Sequence, residues 1–191
     1  MPVTNQQLID ILRGSNTQKI SFSFTGTTGM KINIKATHFN RVADALSEGR
    51  ISISHGNVPA GTAKYSARTA GTDAANTFYL PKSANIGSKD MKGLLVHESV
   101  HAVFDLYSSN LPWVDNEAAA HIAQGYYLRN VGYPRKWMHQ DSGAYHGLMV
   151  VDAIIDGQPE LAQASLDALR DGLRNAPLYA GYINGTFNGD G

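Results

Sequence analysis

The sequence predicts an α+β protein, with a small, mostly antiparallel sheet in its first half and helices in its second. Short segments of the first half alternate between apolar and polar residues, whereas apolar residues of the second half recur at helical spacing. Strands followed by helices, rather than a repeated strand–helix alternation, are typical of α+β proteins. With 191 residues, 42% of them hydrophobic, the chain can bury one core, so we expect a single domain. Its parts would be a sheet-rich half (1–88), a helical half (89–183) and a flexible Gly-rich tail (184–191).

The first elements follow from capping residues and period-two patterns. Thr4 is a suitable N-cap for a short amphipathic helix that ends at Gly14. Residues 20–24 and 32–34 alternate, which predicts a hairpin. A helix over 38–48 and a third strand over 51–53 complete this region.

The next segment is rich in Gly, Ala and Thr between residues 56 and 75. This composition favours a surface loop or a ragged hairpin over a mobile lid. Asn76 to Leu80 then alternates and ends before Pro81. Because proline cannot donate into a central ladder, we expect an edge strand here, above the helix described next.

The most specific pattern in the chain is His97-Glu98-Ser99-Val100-His101, an HExxH motif. An α-helix brings positions i and i+4 onto one face, about 5–6 Å apart, so both imidazoles can reach one tetrahedral metal ion. Glu98 then lies beside the ion without binding it and can take a proton from the metal-bound water. The competing interpretation is a buried helix that carries histidines by chance, but unpartnered polar groups there would each cost several kcal/mol. One Zn²⁺ is the expected cofactor, because imidazole and carboxylate suit zinc.

A second helix is predicted to follow Pro112, with Asp115 as its N-cap, and to end near Asn130. Glu117 and His121 lie one turn apart on the same face of this helix. Glu117 could simply complement the helix dipole. However, the chain has only four glutamates, and this one opens the helix that a helical hairpin would lay across the HExxH helix, which favours a role at the metal.

The segments from His97 to Asp105 and from Asn116 to Ala118 resemble the thermolysin-like metallopeptidases, the gluzincins, in their HExxH-A-V-x-D and N-E-A patterns. The resemblance implies a zincin-like fold and makes Glu117 the third metal ligand, beside His97 and His101. The separation of the two motifs is shorter here than in that family. Where the family has an acidic residue one turn after the glutamate, this chain has His121. We expect His121 to hydrogen-bond a ligand, although it could itself compete for the metal.

Two further segments resemble parts of the gluzincin site. Asn76-Thr77-Phe78-Tyr79 is similar to the edge strand that pairs with a bound peptide, which implies that Asn76 and Thr77 bind substrate. Asp141-Ser142-Gly143-Ala144-Tyr145-His146 is similar to the D-x-G-x-x-H segment, in which the aspartate orients a histidine that donates to the oxyanion. The resemblance therefore implies a catalytic role for His146, positioned by Asp141. Other candidates for this donor are Tyr145, Tyr107 and His139.

These patterns predict a zinc metallopeptidase in which Glu98 is the general base and a peptide or protein is the substrate. Two alternatives stay open: a zinc hydrolase of a non-peptide amide, and a binding domain in which the metal only stabilises the helical hairpin. The 16 basic and 16 acidic residues form no basic stripe, which argues against nucleic acid or a membrane as a partner. The absence of cysteine excludes disulfides, thiolate zinc sites and cysteine nucleophiles.

The sequence begins without the basic and apolar regions of a signal peptide, which predicts a cytoplasmic protein. Separately, we expect the protein to act as a monomer. Export of an effector or toxin by a machine that needs no cleaved signal would give the same sequence pattern.

Overall fold

The computed structural model describes residues 2–56, 58–155 and 159–191, and it confirms an α+β protein with small, mostly antiparallel sheets. The helices are α1 (Asn5–Arg13), α2 (Ser15–Gln18), α3 (Ala36–Ser47), α4 (Lys89–Leu106), α5 (Trp113–Asn130), α6 (Gly143–Ile155) and α7 (Pro159–Asn175). The strands are β1 (Ser21–Thr25), β2 (Lys31–Lys35), β3 (Ser52–His55), β4 (Lys64–Ser66), β5 (Thr77–Leu80), β6 (Asn110–Pro112) and β7 (Thr186–Asn188). Short 3₁₀ turns lie at Arg135–Trp137 and Pro177–Tyr179.

The N-terminal elements form as the sequence predicts. The Thr4 side chain accepts from the Gln7 backbone N–H, and the Gln7 side chain accepts from the Thr4 backbone N–H, which makes a capping box at α1. Strands β1 and β2 form the predicted antiparallel hairpin, with Phe22 opposite Ile34. These residues pack with the apolar faces of α1 and α3 in the core.

The second sheet has the strand order β3-β5-β4, so the prediction of an edge strand at Asn76–Leu80 is wrong. Strand β5 lies in the middle, parallel to β3 and antiparallel to β4, and its four residues are buried. Pro81 follows the last paired residue, so its missing N–H interrupts no ladder. The edge strands are β3 and β4, and β4 lies in the Gly-, Ala- and Thr-rich segment.

Helices α4 and α5 form the predicted helical hairpin. Gly93 near the start of α4 lies against Leu128 near the end of α5, while His101 contacts Asn116, so the two helices run antiparallel. Helix α6 crosses α5 very closely, because a Cβ atom on Gly125 would lie only 2.5 Å from the backbone nitrogen of Leu148. Among the helices of the described ranges, none has both the length and the apolarity to cross a bilayer.

The start of α5 differs from the prediction. The helix begins at Trp113 with Pro112 in the capping position, so Asp115 is not the N-cap. Asp115 is instead buried within the first turn, where its carboxylate accepts hydrogen bonds from Thr27 and Arg170. A long-range ion pair thus replaces the local capping role that its residue type favours.

The Gly-rich C-terminal segment also differs from the prediction of a flexible tail. Strand β7 pairs antiparallel with β6, and Leu111 lies opposite Phe187. The Phe187 side chain is only 4% exposed and packs edge-to-face on Trp113, with the ring centroids 5.0 Å apart. One buried aromatic residue therefore fixes this segment beside the start of α5.

Candidate metal centre

The HExxH residues lie on α4, which is buried on nearly all sides. His97, Glu98 and His101 are each less than 7% exposed, at 5%, 6% and 6%. The two histidines lie one turn apart, and their Nε2 atoms are 3.3 Å from each other. Two imidazole nitrogens this close, in an apolar setting, need a shared cation or proton.

Glu117 on α5 faces both histidines. Its Oε2 atom lies 3.4 Å from His97 Nε2, and its Oε1 atom lies 3.8 Å from His101 Nε2. In a tetrahedral zinc site with bonds of about 2.0–2.1 Å, neighbouring donor atoms are about 3.3–3.4 Å apart. The His97–His101 and His97–Glu117 distances match this spacing, whereas the His101–Glu117 distance, measured to the other carboxylate oxygen, is longer. Oε2 of Glu117 is buried and has no hydrogen-bond partner within the described residues, which leaves it free for an ion.

Hydrogen bonds from neighbouring side chains orient two of these groups. His101 Nδ1 contacts the side-chain oxygen of Asn116, which directs Nε2 toward Glu117. The Tyr182 hydroxyl donates to Glu117 Oε1 at 3.1 Å. This bond engages one carboxylate oxygen and leaves the other without a hydrogen bond from the described residues.

Glu98 is hydrogen-bonded to the edge strand β4. Its Oε2 atom accepts a hydrogen bond of 2.8 Å from the backbone N–H of Tyr65 in β4. The Tyr65 hydroxyl donates to Asp105, two turns further along α4, at 2.7 Å. Burial, reinforced by the charge of Glu117, raises the pKa of Glu98 to about 7. A carboxyl group with a pKa near neutrality is suited to exchange protons with water.

The protonation of the cluster suits metal binding. Burial lowers the pKa of His101 to about 4 and that of His121 to about 3, so both imidazoles are neutral, the form that binds metals. Burial acts to raise the pKa of Glu117, but the neighbouring histidines outweigh it and hold this pKa at about 2. For His97 burial is outweighed by the two glutamates, which raise its pKa; a bound cation would replace that proton.

A cavity of about 480 Å³ opens onto these residues. One wall is formed by residues 61–65, which lead into and include the start of β4. The opposite wall comes from the C-terminal segment, where Leu178, Tyr179 and Tyr182 line the space. Leu178 is 79% exposed at this wall, so the cavity is accessible from solvent.

His121 lies beside the candidate metal ligands but has protein contacts on both ring nitrogens. Its Nε2 atom is 2.9 Å from the Tyr179 hydroxyl, and its Nδ1 atom is 3.3 Å from Gln124 Oε1. Donor atoms of His97, Glu117 and His121 nevertheless all lie within 4.8 Å of one another. The structure thus brings His121 to the site, in contact with Tyr179. His97, Glu117 and His121 together form a second candidate set of metal ligands.

The structure does not bring Asn76 and Thr77 to the cavity. Asn76, oriented with its amide nitrogen toward Asp105, donates to that carboxylate at 2.9 Å. The Thr77 hydroxyl contacts Ser52 and donates to a backbone carbonyl. Both residues are separated from Glu98 because β4 occupies the sheet edge that faces this side chain.

His146 and Asp141 also lie away from the candidate metal ligands. His146 is on α6 and faces α7, where a Cβ atom on Gly172 would be 3.8 Å from its ring. The Asp141 side chain is 91% exposed and lies 3.7 Å from His139, so it does not orient His146. Tyr145 packs edge-to-face on His146.

The glycine of the same segment has a role that the sequence did not indicate. A Cβ atom on Gly143 would lie 2.3 Å from His121 Nε2, so only glycine lets the start of α6 pack against that ring.

Tyr107, another candidate donor, is half exposed and packs against His38 and Arg41 instead. None of the four candidate oxyanion donors lines the cavity within the described residues.

Sequence reasoning missed Tyr65, Tyr179 and Tyr182, which contact the site residues. Tyr65 lies in a segment of loop-like composition, and the other two lie near the C-terminus, 58 and 65 positions from the side chains they bond. The available signal is weak: two tyrosines follow Pro177 in an otherwise small-residue segment.

Comparison of the chain with protein-family models, with curated proteins and with solved structures finds no match. The resemblance to the gluzincins therefore stays a prediction from the motifs.

Proposed function

We propose that this protein is a zinc-dependent metallopeptidase with a zincin-like arrangement of sheet edge and helix. One observation supports this proposal above all. The imidazole nitrogens of His97 and His101 and the carboxylate of Glu117 lie 3.3–3.8 Å from one another, and a second glutamate, Glu98, lines the same open cavity. A catalytic zinc site needs these features: three protein ligands, a position for water and a nearby base.

Each residue has a distinct part in the proposed reaction. His97, His101 and Glu117 hold the ion, which when bound would polarise the scissile carbonyl and acidify a water molecule. Glu98 accepts the proton of that water and passes it to the departing amine. Tyr182 lines the cavity and replaces His146 as our candidate donor to the charge that develops on the substrate oxygen; its hydroxyl would exchange its bond to Glu117 for one to that oxygen.

An extended peptide is the substrate that the cavity wall favours. Within the described residues β4 pairs only on its β5 side, so its other edge is open toward the cavity. Extended peptides add to such an edge through main-chain hydrogen bonds, which tolerate varied sequences. Because the Tyr65 N–H already donates to Glu98, neighbouring backbone groups would make these bonds.

A metal that only stabilises the helical hairpin is the second candidate. The proximity of His121 to His97 and Glu117 favours it, because a fourth protein ligand would close the site. Closed four-ligand zinc sites are structural rather than catalytic.

The test compares wild type with Glu98→Gln by metal analysis and by mass spectrometry of a proteome digest incubated with each protein. We expect both proteins to bind one zinc ion, and Glu98→Gln to lose about 10²–10⁴-fold of the peptidase activity, since it removes the general base. A chelator should abolish wild-type cleavage, and added zinc should restore it.

Glu48→Gln is the matched control, because Glu48 is an exposed glutamate whose partner is Arg50. It should cleave like wild type. Zinc binding without cleavage by any of the three proteins would favour the metal-stabilised binding domain instead.

A further inference from the structure

We propose that Tyr179 keeps one coordination position of the metal site open by engaging His121, which would otherwise become a fourth protein ligand. This inference rests on the proposed function and assigns Tyr179 a positioning role in it. The site would then owe its catalytic rather than structural character to one hydroxyl group from the C-terminal segment.

His121 is placed as a fourth ligand would be. It lies one turn after Glu117 on α5, and its ring centroid is 4.4 Å from that of His97. A nitrogen of His121 lies within 4.8 Å of donor atoms of His97 and Glu117. Ligands of one tetrahedral zinc ion are about 3.3–3.4 Å apart, so His121 would have to move toward the ion to complete a closed site.

Two hydrogen-bond partners hold the ring in its present position. Gln124 Oε1 can only accept, so Nδ1 of His121 carries the proton that points to it. In a neutral imidazole Nε2 is then the acceptor, and the Tyr179 hydroxyl donates to it at 2.9 Å. The lone pair that could bind a metal is therefore engaged by Tyr179.

Two contacts beyond Gln124 restrain the His121 ring: the backbone at the start of α6 and the Tyr179 hydroxyl. Of these two, the hydroxyl can be removed by substitution. The start of α6 packs directly on the ring, because a Cβ atom on Gly143 would lie 2.3 Å from Nε2. The ring cannot retreat in that direction. Tyr179 itself is fixed by its 3₁₀ turn, whose carbonyl oxygen accepts from the Ile183 backbone N–H at 2.9 Å.

The test uses the full chain with Tyr179→Phe, which removes the hydroxyl and keeps the ring. Zinc affinity is measured by competition with a chromophoric chelator. Access to the metal is measured on the cobalt-substituted protein, from the change in its visible spectrum on adding acetohydroxamic acid, which needs open coordination positions. We expect Tyr179→Phe to bind zinc about 10–100-fold more tightly than wild type and to lose the spectral response, because His121 now binds the ion.

The double variant Tyr179→Phe/His121→Asn separates this mechanism from a general disturbance. Without His121 no fourth ligand is available, so wild-type affinity and the spectral response should return. Tyr182→Phe is the matched control, since it removes the other site hydroxyl. It should weaken zinc binding rather than strengthen it, because Tyr182 orients Glu117.

Two results would overturn the inference: an unchanged zinc affinity and spectral response in Tyr179→Phe, or a weaker affinity that His121→Asn does not restore. The single variant His121→Asn tests it even if Tyr179→Phe does not fold. It should bind zinc as wild type does, and a loss of about tenfold or more would show that His121 is already a ligand. Absence of zinc binding by wild type would reject the proposed function itself, and this is read from wild type alone.

Discussion

Two buried carboxylates on α5, two residues apart, have opposite surroundings. Asp115 Oδ1 accepts two hydrogen bonds from Arg170, at 3.1 and 2.8 Å, and Oδ2 accepts two from Thr27, both at 2.7 Å. Glu117 accepts one from Tyr182, and its Oε2 atom has none from the described residues. A carboxylate whose oxygens are all satisfied within the protein stabilises the fold, whereas one left incomplete indicates a binding site.

The two clusters also differ in what they connect. Arg170 on α7 donates to Asp115 and to the backbone carbonyl of Thr25, so this ion pair joins α7, α5 and the β1–β2 hairpin. Glu117 instead contacts the two histidines of α4 and lines the same cavity with them. We therefore expect the Asp115 cluster to stabilise the fold whether or not a metal is bound. The Glu117 cluster should stabilise it only when a metal is bound.

The largest stability effect should come from Arg170→Met. Removing one partner of a buried ion pair leaves an uncompensated charge, which costs about 3–5 kcal/mol. The measurement is urea unfolding in the presence of a chelator, so that no metal contributes. Arg174→Met is the control, because Arg174 pairs with Asp171 on the surface, and an exposed pair contributes no more than about 1 kcal/mol. Equal stability of the two variants would contradict the structural role of Asp115.

The next effect is that of zinc on wild type. At a free zinc concentration about 100 times its Kd, binding to the folded state alone adds about 2.7 kcal/mol to the free energy of unfolding. Glu117→Gln should lose most of this gain, since it removes a ligand. Arg170→Met should retain it, because the two clusters share no side chain. Unfolding curves with and without zinc measure both, and a gain that Glu117→Gln fully retains would exclude Glu117 as a ligand.

The smallest effect should come from Thr27→Ala. This change removes the hydroxyl that donates to Asp115 but keeps the backbone N–H that donates to the same oxygen. A hydrogen bond to a charged group contributes about 1.5–3 kcal/mol, and we expect the lower end, about 1.5 kcal/mol, because Asp115 is buried whereas Thr27 is exposed. Thr28→Ala, at an exposed neighbour, is the control. Indistinguishable urea midpoints would show that the backbone N–H alone satisfies Asp115.

Local patterns predicted the helical hairpin of the site. His97, Glu98 and His101 lie within one turn and a half, so their shared face follows from helix geometry alone. The approach of Glu117 needed one further inference, that two helices separated by a short connection pack antiparallel. The structure places these four side chains together, while the identity of the ion and the reaction stay predictions.

Long-range pairing accounts for what the sequence did not predict. β5 takes the central position because β4 pairs with it, and the three residues of β4 are too few to show a period. Asp115 is a good capping residue by type, yet Arg170, 55 positions away, determines its role. The Gly-rich composition of the last residues suggests fraying, but the burial of Phe187 is a tertiary contact that composition does not report.

Tyr65 is attached to α4 at both of its ends, through its N–H to Glu98 and its hydroxyl to Asp105. Two hydrogen bonds, about two turns apart along the helix, thereby join β4 to α4. Under the proposed function, a peptide paired with β4 would therefore lie at a defined position relative to Glu98, the general base. Because the C-terminal segment forms the other wall, substrate could enter on that side while these two hydrogen bonds keep the base in place.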